Sequence, residues 1–186
     1  MHDTVCRLRR IPLPRTPLNS VGCSRGASFE KGRGVGSGGE PQIAEVNVLD
    51  GVLERFKRAG QEFVKGNPKP VQELFSHRDD VTLANPFGPP ARGWDEVREA
   101  QERGAAVFRD GEIWAFETVA KYATPELACI LWIERTNAKV GGAAEITPCD
   151  LRVTRTLRPE DGEWKVVHRH ADPITSAQPA ESVIQK

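Results

Sequence analysis

The sequence predicts an α+β domain in which helices pack on one face of an antiparallel sheet. Two observations lead to this prediction. Apolar residues between positions 48 and 64 recur with the period of an α-helix. After Gly111 the chain changes to long alternating stretches separated by short turns. Short turns between long strands give an antiparallel meander, and helices that precede such a meander cover one of its faces.

Three helices are predicted before the meander. The first runs from Val48 to Val64, with Asn47 as its cap and KGNP at its end. The second is short; it begins at Asn67 and Pro68, a cap followed by a first-turn proline, and continues to about residue 75. The third covers about residues 94–108, with acidic residues in its first turn, where the helix dipole favours them.

The strands are predicted from alternation and from the turn residues between them. A short strand lies in DVTLAN, residues 80–85, and is closed by the turn-rich sequence PFGPPARG. Four long strands follow, separated by TPE, VGG and PEDGE: Ile113–Tyr122, Leu127–Lys139, Glu145–Arg158 and Trp164–Ala171.

The N-terminal region differs in composition from the rest of the chain. Residues 1–40 contain seven basic and three acidic residues, several prolines and the run GRGVGSGG, without hydrophobic periodicity. Such a segment buries too little apolar area to offset its chain entropy. The predicted organisation is a disordered tail (1–43), a folded domain (44–174) and a flexible C-terminal tail (175–186). An organellar transit peptide or a translated upstream region are the alternatives for the N-terminal tail.

Composition also excludes several classes of partner. The chain contains 26 basic and 26 acidic residues, so it lacks the positive charge of a nucleic-acid-binding protein. No apolar run approaches the length that spans a bilayer. The four cysteines show no zinc-ligand spacing. We therefore expect a cytoplasmic protein with reduced thiols, no metal and no cofactor.

The stretch WKVVHRHADP, residues 164–173, contains the candidate catalytic residues. Turn positions give an approximate register, which places His168 and His170 on the inner, apolar face of the sheet. Glu134 and Arg169 then lie on the opposite, polar face. Asp172 has the parity of the histidines and could orient one imidazole. The alternatives are a purely structural histidine pair and, less favoured because a third ligand is missing, a metal site.

Small side chains beside the histidines predict an apolar cavity. Asn85 follows the first strand, where its amide either reaches the cavity or closes an Asx turn. The candidate ligand-binding residues are Asn85, Phe87, Thr118, Ala120, Cys129, Leu131, Leu151 and Val153.

The order of elements resembles that of the nuclear-transport-factor-2-like superfamily. LRVTRTLRPEDGEWKVVHRHADP and, upstream, NPFGPPARGWDEV resemble the SnoaL-like, ketosteroid-isomerase-like branch. The resemblance implies a strongly curved sheet that forms a cone-shaped α+β barrel with an apolar pocket, and frequent dimers. It covers about residues 47–174.

The resemblance implies a small-molecule-binding domain, with general acid–base chemistry of the isomerase or cyclase type on an apolar carbonyl compound as its potential activity. Whether the chain is an enzyme stays open, because the isomerase residues cannot be carried over: Tyr122 is the single tyrosine. The alternative is a non-catalytic self-assembly or protein-interaction module. A cavity of about 300 Å³ near the histidines would favour ligand binding.

A homodimer is expected through the outer face of the sheet. The predicted register places Ile130, Trp132 and Val167 together on that face. An exposed tryptophan beside aliphatic side chains is typical of an interface core.

Overall fold

The computed structural model describes residues 41–184 of the chain. These residues form three α-helices, seven strands and a short 3-10 helix, Ala180–Val183. The helices are α1 Pro41–Phe63, α2 Lys69–Gln72 and α3 Trp94–Ala106. The strands are β1 Thr82–Ala84, β2 Ala91–Arg92, β3 Phe108–Ala123, β4 Ala128–Val140, β5 Thr147–Pro148, β6 Leu151–Glu160 and β7 Glu163–Asp172.

All seven strands belong to one sheet, in the order β2-β1-β7-β6-β4-β3, with β5 paired to β4. The strands β3, β4, β6 and β7 form the predicted antiparallel meander, and β1 adds to β7 in parallel. The sheet is curled but does not close. The predicted α+β class with helices on a curved sheet is confirmed.

The helices cover one face of the sheet, which we call the inner face. Phe56 of α1 and Phe75 after α2 are almost fully buried, as is Val97 of α3. They pack in one cluster with Ile130 of β4 and Val153 of β6. Burying an aliphatic or aromatic side chain of this kind contributes about 1.5–3 kcal/mol. This core therefore fixes the helices on the inner face.

The inner face of β4 is the opposite of the predicted one. The buried residues of this strand are Ala128, Ile130, Trp132, Glu134, Thr136 and Ala138. The prediction that Cys129 and Leu131 point inward is therefore wrong. Two of the three residues predicted to form the dimer surface are not on the surface, because Ile130 and Trp132 are each only 1% exposed.

Two features explain the error on β4. The strand is apolar on both faces between positions 128 and 133, so alternation alone does not choose the inner face. The connection to β6 is also longer than the tight VGG turn that the sequence predicts. It includes the short strand β5, which pairs back onto β4, and β6 begins only at Leu151. The register between β4 and β6 changes accordingly.

The predicted disordered tail, residues 1–43, lies outside the described residues except for its last three, which begin α1. In the predicted C-terminal tail, residues 175–186, the described part includes the 3-10 helix. None of the helices in residues 41–184 has the length and apolar character needed to cross a membrane.

Candidate functional site

A β-bulge in β7 decides which side chains enter the domain interior. Val166 pairs with Leu157 and His168 pairs with Thr156, so Val167 is an extra residue on β7. An extra residue reverses the alternation of the side chains beyond it. Arg169 therefore points inward after the bulge, and His168 and His170 point outward.

Glu134 is the central charged group of the interior. Its side chain is 5% exposed, and its carboxylate accepts three hydrogen bonds. Trp132 Nε1 and Arg155 Nη2 donate to Oε1 at 3.0 and 2.9 Å. Arg169 Nη2 donates to Oε2 at 3.3 Å. Burial alone would raise the pKa of Glu134, but the charges of Arg155 and Arg169 outweigh burial and hold it below its usual value.

Arg155 of β6 is buried between two aromatic rings. Its guanidinium lies 5.0 Å from the ring centre of Phe56 and 4.6 Å from that of Trp132. Only Nη2 has a partner among the described residues, since Nε and Nη1 make no hydrogen bond. Burial lowers the pKa of Arg155 to about 10, so the group remains protonated at neutral pH.

Arg169 connects the interior charges to the segment after β1. Its Nη1 donates a hydrogen bond to Asn85 Oδ1 at 2.6 Å, and its Nη2 contacts Glu134. The parallel pairing of β1 with β7 brings Asn85 to this place, because Ala84 pairs with His170. Asn85 thus lies at the site, as predicted, with its amide oxygen held by an arginine.

Gln101 of α3 is a further polar residue of the interior. Its side chain is 2% exposed, and neither amide atom has a hydrogen-bond partner among the described residues. Buried amides in folded proteins are almost always hydrogen-bonded. This glutamine therefore has an unused donor and an unused acceptor.

These side chains line a cavity between the inner face and the helices. The cavity has a volume of about 50 Å³, or about 560 Å³ of empty space when the part open to solvent is included. The cavity is therefore below the volume of about 300 Å³ that would by itself favour ligand binding, and it suits a compact ligand or one end of a longer ligand. Its apolar wall consists of Phe63, Val64, Val71, Phe75, Leu83, Phe108, Ile113 and Leu151.

The predicted catalytic residues lie outside this cavity. His170 is exposed, and His168 is half-buried, with its Nδ1 2.8 Å from Thr82 Oγ1. Asp172 lies 4.0 Å from His170 Nε2 and is bound by Arg152 Nη2 at 2.9 Å. The prediction that the histidines face the interior is wrong, because the bulge at Val167 has no signature in the sequence. A chemical role on the outer face stays a prediction.

The predicted ligand-binding residues divide into three groups. Asn85 and Leu151 line the cavity, and Phe87 lines a neighbouring depression that shares Leu83 and Asn85 with it. Val153 is fully buried in the core. Thr118 is exposed, and three residues belong to the outer face because of the β4 register: Ala120, Cys129 and Leu131.

The surroundings of His168 give a prediction about pH. Burial, and secondarily the charge of His170, lower the pKa of His168. Below about pH 6.5 the unfolded chain binds a proton that the folded chain resists, so stability falls as the pH is lowered. We expect His168→Gln to flatten this dependence between about pH 5 and 7, measured by urea unfolding. His77→Gln, which removes a histidine that is not part of β7, is the control. A His168→Gln curve parallel to wild type would contradict the expectation.

Comparison with protein families decides where the chain belongs. Residues 52–175 match the model of a family described as the SnoaL-like domain. The chain is a member of the SnoaL-like domain family. The resemblance expected from the sequence is thus confirmed over nearly all of the predicted domain. Comparison with curated protein sequences finds no match.

Solved structures similar to this SnoaL-like domain agree on its fold. A provisionally assigned dehydratase of the NTF2-like family from Streptomyces avermitilis has a TM-score of 0.59 and 17% identity, covering 73% of this chain and 99% of its own. A ketosteroid isomerase-like protein from Erwinia carotovora atroseptica has a TM-score of 0.57 and 19% identity, covering 68% and 94%. An NTF2-like superfamily protein from Salmonella enterica has a TM-score of 0.59 and 14% identity, covering 75% and 96%. Because these sequence identities are low, the similarity shows a shared fold and does not show a shared activity.

Most of the polar site of the SnoaL-like domain is not predicted by the sequence. The predicted register puts Glu134 and Arg169 on the polar outer face, whereas both lie inside. Gln101 falls within the predicted third helix, where no pattern marks it as a site residue. The parity of Arg155 with the apolar residues Val153 and Leu157 was a usable signal, because a charge inside an apolar row needs a buried counter-charge.

Proposed function

We propose that this SnoaL-like domain binds a compact small molecule in the inner cavity, through an apolar body and one oxygen-bearing head group. The observation that carries the proposal is the guanidinium of Arg155, which is buried at the cavity and whose Nε and Nη1 have no hydrogen-bond partner among the described residues. A buried donor without a partner costs about 1–3 kcal/mol, which a ligand oxygen would recover.

The apolar wall supports the other half of the proposal. Phenylalanine and aliphatic side chains from α1, β1 and β3 surround the polar cluster. Ligand sites usually combine such a wall with a few fixed polar groups. The rings of Phe56 and Trp132 both contact the guanidinium, and Glu134 binds its Nη2, so it is held in place before a ligand arrives.

Any chemistry in this cavity would be electrostatic. Glu134 is a weak candidate for a general base, because its lowered pKa and three hydrogen bonds stabilise the carboxylate. Arg155 is well suited to polarise a carbonyl oxygen or to hold an oxyanion in a site of low dielectric. In an isomerase-like or cyclase-like reaction on a carbonyl compound, the role of Arg155 would therefore be to stabilise negative charge on the carbonyl oxygen.

A thermal-shift screen with a small-molecule fragment library tests the proposal. We expect hits on the wild type whose affinity falls about tenfold or more in Arg155→Met, because a charged hydrogen bond is lost. The variant should remain folded, since Glu134 keeps Arg169 and Trp132 as partners. Arg152→Met, an exposed arginine on the same strand, is the matched control. Hits that bind wild type and Arg155→Met equally would show that the ligand lies elsewhere.

A second candidate function is self-association through the outer face. The outer side of β4 carries Cys129, Leu131 and Ile133, all half-buried, and Tyr122 beside Cys129 is 69% exposed. A contiguous apolar area on a sheet favours an interface between copies of the chain. We propose a homodimer through this area, in place of the surface built on Ile130 and Trp132.

Leu131→Glu tests the dimer. A charge in the centre of an apolar interface should convert the dimer to monomer at micromolar concentration without unfolding it, because Leu131 is outside the core. Sedimentation velocity measures the assembly state, and circular dichroism checks the fold. Ile146→Glu, an exposed aliphatic residue between β4 and β6, is the control. A wild type that sediments as monomer would contradict the proposal.

A further inference from the structure

Two side chains of the inner cavity have hydrogen-bonding groups that no described residue satisfies. They are Nε and Nη1 of Arg155 and both amide atoms of Gln101. Arg155 is 6% exposed and Gln101 is 2% exposed, and both line the same cavity. Because buried polar groups are rarely left unsatisfied, these atoms mark where a ligand would make its polar contacts.

The charges around the cavity are unbalanced. Among the described residues that line it, Arg155 and Arg169 are positive and Glu134 is negative. Glu134 contacts both arginines, so one positive charge remains without a full counter-charge. A buried unbalanced charge is costly, and burial lowers the pKa of Arg155. A monoanionic group that entered beside Arg155 would restore the balance.

The amide of Gln101 adds a second requirement. One of its atoms donates hydrogen bonds and the other accepts them. A carboxylate or a ketone can satisfy only the donor, whereas a hydroxyl group can accept from the nitrogen and donate to the oxygen. Exchanging the amide N and O leaves this conclusion unchanged, since neither atom has a partner.

We propose that the cavity binds a small hydroxycarboxylic acid, with its carboxylate on Arg155 and its hydroxyl on Gln101. This inference rests on the proposed function and names the chemical class of its ligand. The size of the cavity favours a compact acid, and its apolar wall favours an alkyl or phenyl substituent. Asn85 and Arg169 are engaged with each other, so recognition falls to Arg155 and Gln101.

The experiment compares three matched series of probes. Lactate and mandelate are the hydroxy acids, propionate and phenylacetate lack the hydroxyl, and lactamide and mandelamide lack the charge. Binding to the full chain is followed by NMR chemical-shift changes at constant ionic strength. We expect the hydroxy acids to bind about tenfold or more tightly than the neutral amides, and about threefold or more tightly than the acids without hydroxyl.

Two variants assign the preferences to their residues. Arg155→Met should abolish the preference for charge, and Gln101→Met should abolish the preference for the hydroxyl while keeping that for charge. Arg155→Gln, which also removes the charge, replaces Arg155→Met if that variant does not fold. Amides that bind as well as the acids would overturn the inference and leave the proposed function standing. Absence of binding by all six probes would also overturn the inference, whereas the proposed function fails only if the fragment screen gives no hits that depend on Arg155.

Discussion

Replacing Glu134 with Gln is expected to lower the free energy of unfolding by about 3–5 kcal/mol, the usual cost of breaking a buried ion pair from one side. The substitution keeps the shape of the side chain and removes only its charge. Arg155 and Arg169 would then face each other across adjacent positions of β6 and β7 without a shared counter-charge. Urea unfolding at neutral pH measures the effect.

The burial of Glu134 makes this loss large. Its carboxylate offsets the charges of two arginines that are removed from water. One oxygen accepts a hydrogen bond from Arg155 and the other accepts one from Arg169. A glutamine oxygen can still accept from Trp132, but its NH₂ group would point donors at an arginine. Repulsion and unsatisfied donors therefore add to the lost attraction.

Glu117→Gln is the matched control. Glu117 accepts two hydrogen bonds from Arg135 at 2.9 Å, so it makes at least as regular an ion pair as Glu134 does. This pair lies on the solvent-exposed side of the sheet, where water and salt screen the interaction. Its loss should be barely measurable. Equal effects of the two substitutions would show that Glu134 is not buried as described.

The elements of the fold were predictable because they depend on local patterns. The period of α1, the first turn of α3 and the turns around β3, β4 and β7 are all properties of neighbouring residues. The ends of several elements differ from the prediction by five residues or more, as for β3, which begins at Phe108 instead of Ile113, but such differences do not change the order of the long elements. The sequence therefore predicts the architecture and the family, although not the site.

The site was not predictable because it depends on which face each strand buries. Because Val167 is an extra residue, Arg169 points into the interior and the two histidines, which alternation alone would place there, point outward. The apolar residues on both faces of β4 likewise conceal that Glu134 points inward. Such events leave the hydrophobic pattern almost unchanged while they replace most of the polar groups at the cavity.

Trp132→Ala is expected to lower the free energy of unfolding by about 3–5 kcal/mol, the usual cost of removing a large aromatic side chain from a core. Trp132 is 1% exposed and packs edge-on against Phe116, with ring centres 5.3 Å apart. Its loss also removes the indole N–H that donates a hydrogen bond to Glu134, and one of the two rings that contact Arg155. Thermal and urea unfolding measure the change.

Trp114→Ala separates burial from the general effect of losing a tryptophan. Trp114 lies at an irregularity of β3 and is 58% exposed, so its removal should change stability little. If Trp132 instead lay on the outer face, as alternation alone suggested, Trp132→Ala would weaken a dimer and leave the fold intact. If Trp132→Ala unfolds at the same urea concentration as wild type but no longer forms a dimer, the register with Trp132 on the outer face is supported. A large drop in stability at any protein concentration supports the register in which Trp132 positions Glu134 and Arg155 at the cavity.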